Sequence, residues 1–485
     1  MTDRKAQEVP RLGAKVRSLR RRANESQAQL AARLGISPSY LNLIENNRRP
    51  LPAPLLIRIA QLFQVDLDTF ATDEESRTTA DLMEVFSDPL FEPHDLTSVD
   101  VRELSTASPG AARAVIALYR AYQSARESSE TLASRLFEDE LAVSQAPVSQ
   151  ARLPPEEVSD LIQRHMNHFP ELEAGAEELW REAKLAPDDL YSGLVRHLAH
   201  AHRVEVRIVH WQDQPGTLRR FDPTRRVLLL SELLPTRSRS FQIAQQLALL
   251  SRRAELERIA ADPRLTGDES RALCRVALSS YFAGAVLMPY QPFLEAARAE
   301  RYDIDVIGRR FRVGFEQVCH RLTTLRRPGA EGVPFHMVRT DVAGNISKRF
   351  SGSGIRFARF SGACPRWNIF AAFSTPGMIR IQLSQMPDGI TYFCIARTIQ
   401  KDSGGYHAQH GFQAIGLGCQ LAHARELVYA DGVDLDTPHT VVPVGVTCRL
   451  CEREDCSQRA LPSLHQPLHV DPDTRRMTLY TVPPR

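Results

Sequence analysis

The sequence predicts a multidomain chain, mostly α-helical at first and α+β afterwards. An N-terminal helix-turn-helix bundle leads, a helical middle with a small strand pair follows, and a C-terminal α+β domain carries a cysteine cluster. Three observations predict this. At roughly 100–200 residues per domain, 485 residues correspond to about three domains. Residues 1–65 hold twelve Lys/Arg against four acids and show helical spacing of apolar residues. From about Gly332 the pattern changes to short alternating runs between Gly/Pro/Asp turns, and six of the eight cysteines lie beyond that point. With 43% hydrophobic and 25% charged residues, wholesale disorder is excluded.

The charge is unevenly placed. The first 65 residues have a surplus of eight positive charges, so a whole-chain charge of +3 leaves −5 on the other 420. A basic module on a mildly acidic body points to nucleic acid, because phosphate contacts and counterion release supply most non-specific affinity. The start of the chain is charged and lacks an apolar signal region. Runs such as 227–234 and 282–289 are far shorter than the roughly 20 residues that span a bilayer. The expectation is a cytoplasmic protein with reduced thiols.

Within the head, Leu12, Val16, Leu19 and Ala23 predict a helix over 11–23. Ser26 is placed to cap a second short helix with Leu30, Ala31 and Leu34 inward, and Gly35 suits a tight left-handed turn. Ser37 and Pro38 open a third helix to about Asn46, with Tyr40, Leu41 and Ile44 on its inner side. A fourth helix over 53–63 closes the core with Leu56, Ile59, Ala60 and Phe63. The helix-turn-helix domain is bounded at 8–70.

Residues 71–154 form a helical linker with segments at 111–126 and 132–143, punctuated by Pro89, Pro93, Pro109 and Pro147. Val115, Leu118, Tyr119 and Tyr122 suit either a dimer contact or an internal core. Residues 155–330 read as helical with strands at 204–209 and 227–230, then a long helix over 240–259. His197, His200, His202 and His210 are too scattered for one metal site, and Tyr281, Tyr290 and Tyr302 read as core.

In residues 331–485 strands are expected at 335–340, 354–360, 378–383, 391–396, 412–417 and 441–444. Cys448, Cys451 and Cys456 form C-x2-C-x4-C, a spacing that lets thiolates converge on one soft metal. Cys419 is the first choice as fourth ligand and Cys364 the alternative. Spacing leaves zinc and an iron–sulfur cluster both open.

The run SQAQLAARLGISPSYLNLIENNRRP resembles the Cro-like repressor family. That resemblance puts the N-terminal end of the third helix in the DNA major groove. It implies base-edge roles for Pro38, Ser39, Asn42 and Leu43, phosphate roles for Gln27, Asn46 and Arg48, and an internal ion pair between Arg20 and Glu45. The middle resembles the ImmA/IrrE-type metallopeptidases, in which His-Glu-x-x-His binds zinc. Here the equivalent stretch is Gln245 to Leu249 (QQLAL), whose amides neither bind zinc usefully nor act as a base. No peptidase activity, and no other enzyme activity, is expected.

Four further stretches, FEQVCHRLTTLRRPG, DVAGNISKRFS, FARFSGACPRWN and TCRLCEREDCSQRALP, resemble the short-chain fatty acyl-CoA regulator family. The resemblance implies a DNA-binding transcriptional regulator that responds to a short-chain acyl-CoA such as propionyl-CoA. Some members carry a [4Fe–4S] cluster on C-terminal cysteines, which favours iron–sulfur over zinc. An acyl-CoA needs cations for its phosphates and an apolar pocket; Lys348, Arg349, Arg356, Arg359 and Trp367 are the candidates. The expected partners are operator DNA, acyl-CoA and a second copy of the chain. An iron–sulfur redox sensor is the alternative function.

Overall fold

The structure is a computed structural model. It describes residues 12–63, 73–138, 154–213, 216–358, 363–401 and 411–463, less 24, 47, 50, 89, 92–95, 450 and 455, together with 473, 475, 477 and 478. Two compact units are built around Met1–Gln123 and Ser124–Ser463.

In the first unit α1 (Gly13–Arg22), α2 (Gln27–Leu34), α3 (Pro38–Glu45) and α4 (Ala53–Phe63) follow the expected order. They enclose Val16, Leu30, Ala31, Leu34, Leu41, Ile44, Leu55, Ile59 and Ala60. On α4 it is Leu55 that is fully enclosed, whereas Leu56 and Phe63 are half-buried at the margin. Then come α5 (Asp73–Phe86), α6 (Ser98–Ala107) and α7 (Pro109–Glu138). A single helix of 30 residues replaces the two expected segments, because residues 127–131 contain no Gly or Pro to break it. The tail of the second expected segment lies outside the described residues. Tyr119 turns inward and donates to Asp88 Oδ2 at 2.7 Å, while Leu118 is 72% exposed.

The second unit begins with α8 (Pro154–Arg164), α9 (Pro170–Glu182) and α10 (Leu190–His202). A three-stranded sheet follows: β1 (Glu205–Val209), β2 (Arg219–Asp222) and β3 (Val227–Ser231), in the order β1-β3-β2. The expected pair is present, but it is parallel, and β2 pairs antiparallel with β3 on the other side. Sequence reading missed β2 because its four residues, RRFD, include one apolar side chain. The expected long helix is divided into α11 (Thr236–Ser251) and α12 (Arg253–Ala260). At the break, Arg252 leaves helical geometry and its guanidinium reaches back to Glu178 at 2.6 Å.

Next are α13 (Asp268–Leu287), α14 (Tyr290–Ala299), α15 (Ile304–Arg310) and α16 (Phe315–Leu322). The six-stranded sheet contains β4 (His336–Asp341), β5 (Ile346–Ser351), β6 (Arg380–Gln385), β7 (Thr391–Lys401), β8 (Gly411–Gln420) and β9 (Val441–Pro443). Its order is β5-β4-β8-β7-β6-β9, antiparallel except for β9 beside β6. A short helix, α17 (Asn368–Ala371), packs on it. The strand expected at 354–360 is absent over its described part, residues 354–358. Ile355 and Ala358 are buried there without a ladder, and the strand is β5 instead. The β4–β5 turn forms because the Asp341 carboxylate accepts the N–H groups of Ala343 and Asn345, and Gly344 adopts φ +88°.

One face of this sheet shares a continuous core with the helices. Met337, Phe393, Ile415 and Leu417 join Phe282, Phe293, Leu322 and Leu325. The expected limits 155–330 and 331–485 therefore meet inside one core. The opposite face covers a second core of Val338, Trp367, Ile369, Tyr392, Ala396 and Val444. No single described helix is long and apolar enough to cross a membrane.

At the centre of the helical layer is a buried ion pair. Arg321 donates to Glu173 Oε1 at 2.5 Å and Oε2 at 2.9 Å, and both side chains are 2% exposed. Arg321 also donates to the Met288 carbonyl and Thr324 Oγ1, both at 2.9 Å, and Tyr281 donates to Glu173 Oε1 at 2.6 Å. Burial alone would push the Glu173 carboxyl up, but the Arg321 charge and hydrogen bonds outweigh it and hold it below the ordinary range. Removing one partner strands the other charge in an apolar interior. Glu173→Met or Arg321→Met should each cost the second unit about 3–5 kcal/mol, and the double replacement less than either single one. Chemical denaturation followed by tryptophan fluorescence reads this unit alone, since Trp180, Trp211 and Trp367 all lie in it.

Candidate nucleic-acid interface, arginine groove and thiol cluster

The geometry of α2 and α3 is set by local chemistry. Ser26 accepts from the Gln29 N–H at 3.2 Å while the Gln29 side chain accepts from the Ser26 N–H at 2.8 Å, a reciprocal cap. Gly35 takes φ +68°, and Ser37 caps α3 at the Tyr40 N–H (3.1 Å). With Leu41 and Ile44 in the core, Pro38, Ser39 and Asn42 are exposed and Leu43 is half-buried. The four residues expected to meet base edges thus occupy the outer part of one short helix.

That helix is anchored by Glu45. Its carboxylate has no exposed surface and accepts from Arg20 Nε at 2.7 Å and from the second guanidinium nitrogen at 2.9 Å. Burial alone would raise the Glu45 carboxyl, yet hydrogen bonds from Arg20 and Gln27 hold it below its ordinary value of 4.5. Gln27 differs from the expectation of a phosphate donor. Its amide nitrogen donates to Glu45 Oε2 at 2.7 Å and Asn42 Oδ1 at 3.3 Å, which uses both amide hydrogens. What Gln27 retains for phosphate is its backbone N–H in the first turn of α2. Asn46 is also engaged, since its amide donates to Asn42 O at 2.9 Å and Asn42 Oδ1 at 2.7 Å, and Arg17 donates to Asn46 Oδ1.

Arg48 is exposed as expected, and Arg49 beside it was missed. Both backbone N–H groups close α3 on the Leu43 carbonyl, at 2.8 and 3.1 Å. Neither guanidinium has a partner among the described residues. Arg17 was missed too, as a residue that holds the end of α3 through the Glu45 carbonyl at 2.9 Å.

The effector candidates are distributed differently from expectation. Lys348 lies 3.4 Å from Glu316, whose carboxylate also takes Arg339 at 2.7 Å and Lys401 at 2.6 Å. Arg349 pairs with Glu156 and donates to the Ala358 carbonyl at 3.3 Å, strapping β5 to α8. Arg356 is exposed, and Arg359 lies outside the described residues. Trp367 is core rather than a surface for a ligand ring. It is 7% exposed, donates to the Gly445 carbonyl at 2.9 Å and meets the Phe357 ring at 5.7 Å.

A groove of about 750 Å³ lies elsewhere, between α15, the start of α16 and the ends of β7 and β8. Four arginines line it, Arg237, Arg309, Arg312 and Arg397, against one acid, Asp305. Arg397 donates to Asp305 Oδ1 at 2.8 Å and Oδ2 at 3.0 Å, with its guanidinium carbon 5.0 Å from the Phe315 ring centre. Arg312 is tied to Asp188 at 3.0 and 3.2 Å. Arg237 and Arg309 are exposed and have no side-chain partner among the described residues. Phe315 and Phe412 supply apolar surface, with Ile304 and Val313 buried behind them. The α15–α16 turn closes tightly because a Cβ on Gly308 would stand 3.1 Å from the Val313 carbonyl oxygen. No motif marked this groove, since its residues come from five separated segments.

The sheet separates the cysteines. Cys394 stands opposite Gly418 and Cys419 opposite Phe393, so by the two-residue alternation of strands their thiols leave on opposite faces. Cys419 belongs to the helix-facing core, whereas Cys364 and Cys394 belong to the other. Cys419 is thus removed from the C-x2-C-x4-C segment. Cys364 is the neighbour: its N–H donates to the Val446 carbonyl at 2.9 Å, and the Cys451 sulfur lies against Gly445. Burial pushes the Cys364 thiol up, with further contributions from Cys448 and Cys451. Arg459 steadies the segment by donating to the Cys448 and Cys451 carbonyls at 2.8 and 3.0 Å. Among the described residues no group of three or more Cys, His, Asp or Glu is arranged to hold a metal ion. As they stand these thiols do not form a finished site.

At the peptidase-like position, the buried Gln245 amide donates to Ser279 Oγ at 3.2 Å and Ser280 Oγ at 3.0 Å on α13. His197 and His202 meet edge to face at 5.9 Å, and His210 pairs with Glu232 at 3.2 Å. Tyr281, Tyr290 and Tyr302 are buried with bonded hydroxyls, as expected of core.

Comparison with known proteins agrees with this layout. Residues 324–480 match the C-terminal domain of the short-chain fatty acyl coenzyme A regulators, 199–323 an IrrE N-terminal-like domain, and 11–72 a helix-turn-helix domain. The HTH-type transcriptional regulator PrpR of Mycobacterium tuberculosis is 40% identical over 461 residues, 95% of this chain and 93% of that one. The HTH-type transcriptional regulator RamB of the same organism is 38% identical over 97% of this chain and 98% of its own length. The propionyl-CoA carboxylase regulator of Cereibacter sphaeroides is 39% identical, with coverage of 97% and 98%. A solved Mycobacterium tuberculosis transcriptional regulator superposes with TM-score 0.65 at 43% identity, covering 68% of this chain and all of that one.

The Glu45 anchor sets an acid limit for the head. Its folded-state pKa lies below the unfolded one, so its contribution is present above the ordinary value of 4.5 and is lost as pH falls through the folded value. Protection of the α3 amides, corrected for intrinsic exchange, should hold from neutral pH to about 5 and decline below it. In Glu45→Gln protection should already be reduced at neutral pH.

Proposed function

Because the chain belongs to the short-chain fatty acyl coenzyme A regulators, a family of helix-turn-helix transcriptional regulators, we propose that it controls genes of short-chain acyl-CoA metabolism in response to a bound acyl-CoA such as propionyl-CoA. The head reads DNA by placing the N-terminal end of α3 in the major groove. The observation that carries this reading is the exposed row Pro38, Ser39 and Asn42 on a helix locked from behind by Arg20 and Glu45. Asn42, whose amide oxygen already accepts from Gln27 and Asn46, offers its amide N–H groups to a base edge, while Arg48 and Arg49 supply phosphate contacts. Two copies of the chain bind half-sites about one helical turn, roughly 10 bp, apart or a multiple of that. The acyl-CoA binds the second unit and shifts the balance between arrangements of the two heads, which requires different affinity for each arrangement.

A soft metal on Cys364, Cys448, Cys451 and Cys456 is a further part of the proposal. Two observations support Cys364 in place of Cys419: the opposite faces of the sheet, and the Cys364 to Val446 hydrogen bond. Zinc would hold the C-terminal segment, and an iron–sulfur cluster would add a redox signal. Anaerobically purified protein with absorbance near 400 nm and iron in proportion would support the cluster, and colourless protein with stoichiometric zinc the structural metal. Protein free of both would remove the metal reading.

Operator binding tests the main reading. Purified protein should retard its own promoter, or that of an acyl-CoA carboxylation operon, and propionyl-CoA should change the retardation. Asn42→Ala should cost about 1–3 kcal/mol on the operator and little on unrelated DNA. Arg48→Ala should weaken both alike and reduce the salt slope by about one. Absence of retardation at moderate salt, with and without acyl-CoA, would sink the proposal.

A further inference from the structure

The Asn42 side chain on α3 is oriented by charges one hydrogen bond removed from it. A carboxamide accepts at its oxygen and donates at its nitrogen, so its neighbours decide which side faces out. Glu45 and Arg17 begin two chains of such neighbours. The Glu45 carboxylate only accepts, so the Gln27 carboxamide turns its nitrogen to Oε2, at 2.7 Å. The second hydrogen of that nitrogen then goes to Asn42 Oδ1, at 3.3 Å. Arg17 only donates, so Asn46 turns its oxygen to the guanidinium. That leaves the Asn46 nitrogen facing the Asn42 carbonyl at 2.9 Å and Asn42 Oδ1 at 2.7 Å. Both donors therefore converge on one atom. A carboxamide oxygen carries two lone pairs, and here both are used. The Asn42 nitrogen, by contrast, has no acceptor among the described residues, and the residue is exposed.

We propose that this double relay makes α3 a reader of acceptor edges, and that the base opposite Asn42 is guanine. In the major groove guanine offers two neighbouring acceptors, N7 and O6, which match the two hydrogens on the Asn42 nitrogen. The bidentate pairing of asparagine with adenine needs the carboxamide oxygen to accept from the adenine amino group. Here Oδ1 is already saturated. Cytosine presents only a donor, and thymine one acceptor beside its methyl group. Gln27, Asn46 and Arg17 are thus positioning residues that select the base through Asn42. The inference rests on the base-edge role of Asn42 proposed above, and adds the base and the residues that choose it.

The test is selection of duplexes from a randomised library by the full-length protein, with and without propionyl-CoA. Single-base variants of the selected site are then titrated. The position at which Asn42→Ala loses its preference identifies the pair that Asn42 reads. There the wild type should prefer guanine over adenine by about tenfold. Gln27→Ala/Asn46→Ala frees Oδ1 and should bring that ratio to one or below. Arg17→Met, which leaves Asn46 free to turn, should lower it by a smaller factor. The readout is a ratio of two affinities measured on one protein, so general weakening from a lost phosphate contact or a looser α3 cancels. Another preferred base in the wild type, or an unchanged ratio in both variants, would overturn the relay while leaving the base-edge role of Asn42 intact. If Asn42→Ala keeps every base preference of the wild type, that role ends and this inference with it. No enrichment of any sequence under either condition would end the operator reading as well.

Discussion

The second unit depends on one charge held where charge is costly. Arg321 sits in an apolar interior, and the cost of taking it out of water is met because each of its three guanidinium nitrogens finds an acceptor. Those acceptors come from α9, the end of α13 and the first residues after α16, so the pair fixes three chain segments at one point. Apolar side chains of similar size tolerate shifts of register or angle, whereas a forked guanidinium against a carboxylate does not. The sheet then packs on a helical layer whose geometry is already specified. The family domains that meet at residues 323 and 324 share one core.

The helix-turn-helix uses the same device on a smaller scale. Glu45, without exposed surface, ties α3 to Arg20 on α1 and to Gln27 on α2. Cations elsewhere divide into two classes. Some are anchored to carboxylates and build structure, as Arg349 and Lys348 do, and others are left over on concave or exposed surface, as Arg237, Arg309, Arg48 and Arg49 are. Sequence shows both classes as the same letters. Only the positions of the acids distinguish them, and those acids are often far away in the chain, as Glu156 is from Arg349.

That distinction explains what was legible. The head could be read nearly residue by residue, because caps, a Gly turn and helical spacing are local signals. The ends of α4 and the caps Ser26 and Ser37 follow from neighbours within one short module, whereas the Arg20–Glu45 pair followed from the resemblance to the Cro-like repressors. In the second unit local signals were weaker. The strand β2 has one apolar side chain, the break after α11 is made by Arg252 reaching to α9, and β5 arises from an Asx turn rather than from alternation. For the thiols, spacing identified Cys448, Cys451 and Cys456 as a group, but the choice between Cys419 and Cys364 depends on which face of β8 a residue occupies. A register offset of one residue reverses that answer. The arginine groove had no sequence signature at all, being assembled from residues 237 to 412.

The amide of Gln245 ties α11 to α13 inside the peptidase-like domain. The residue at the position that resembles a zinc ligand is a donor to two hydroxyls on α13, one of them fully buried. An imidazole restored at that position alone would leave Ser279 in the interior without its present donor. The adjoining Gln246, also buried, would have to change at the same time. A zinc-binding triad here would need several replacements made together, because each alone disturbs a satisfied interior network.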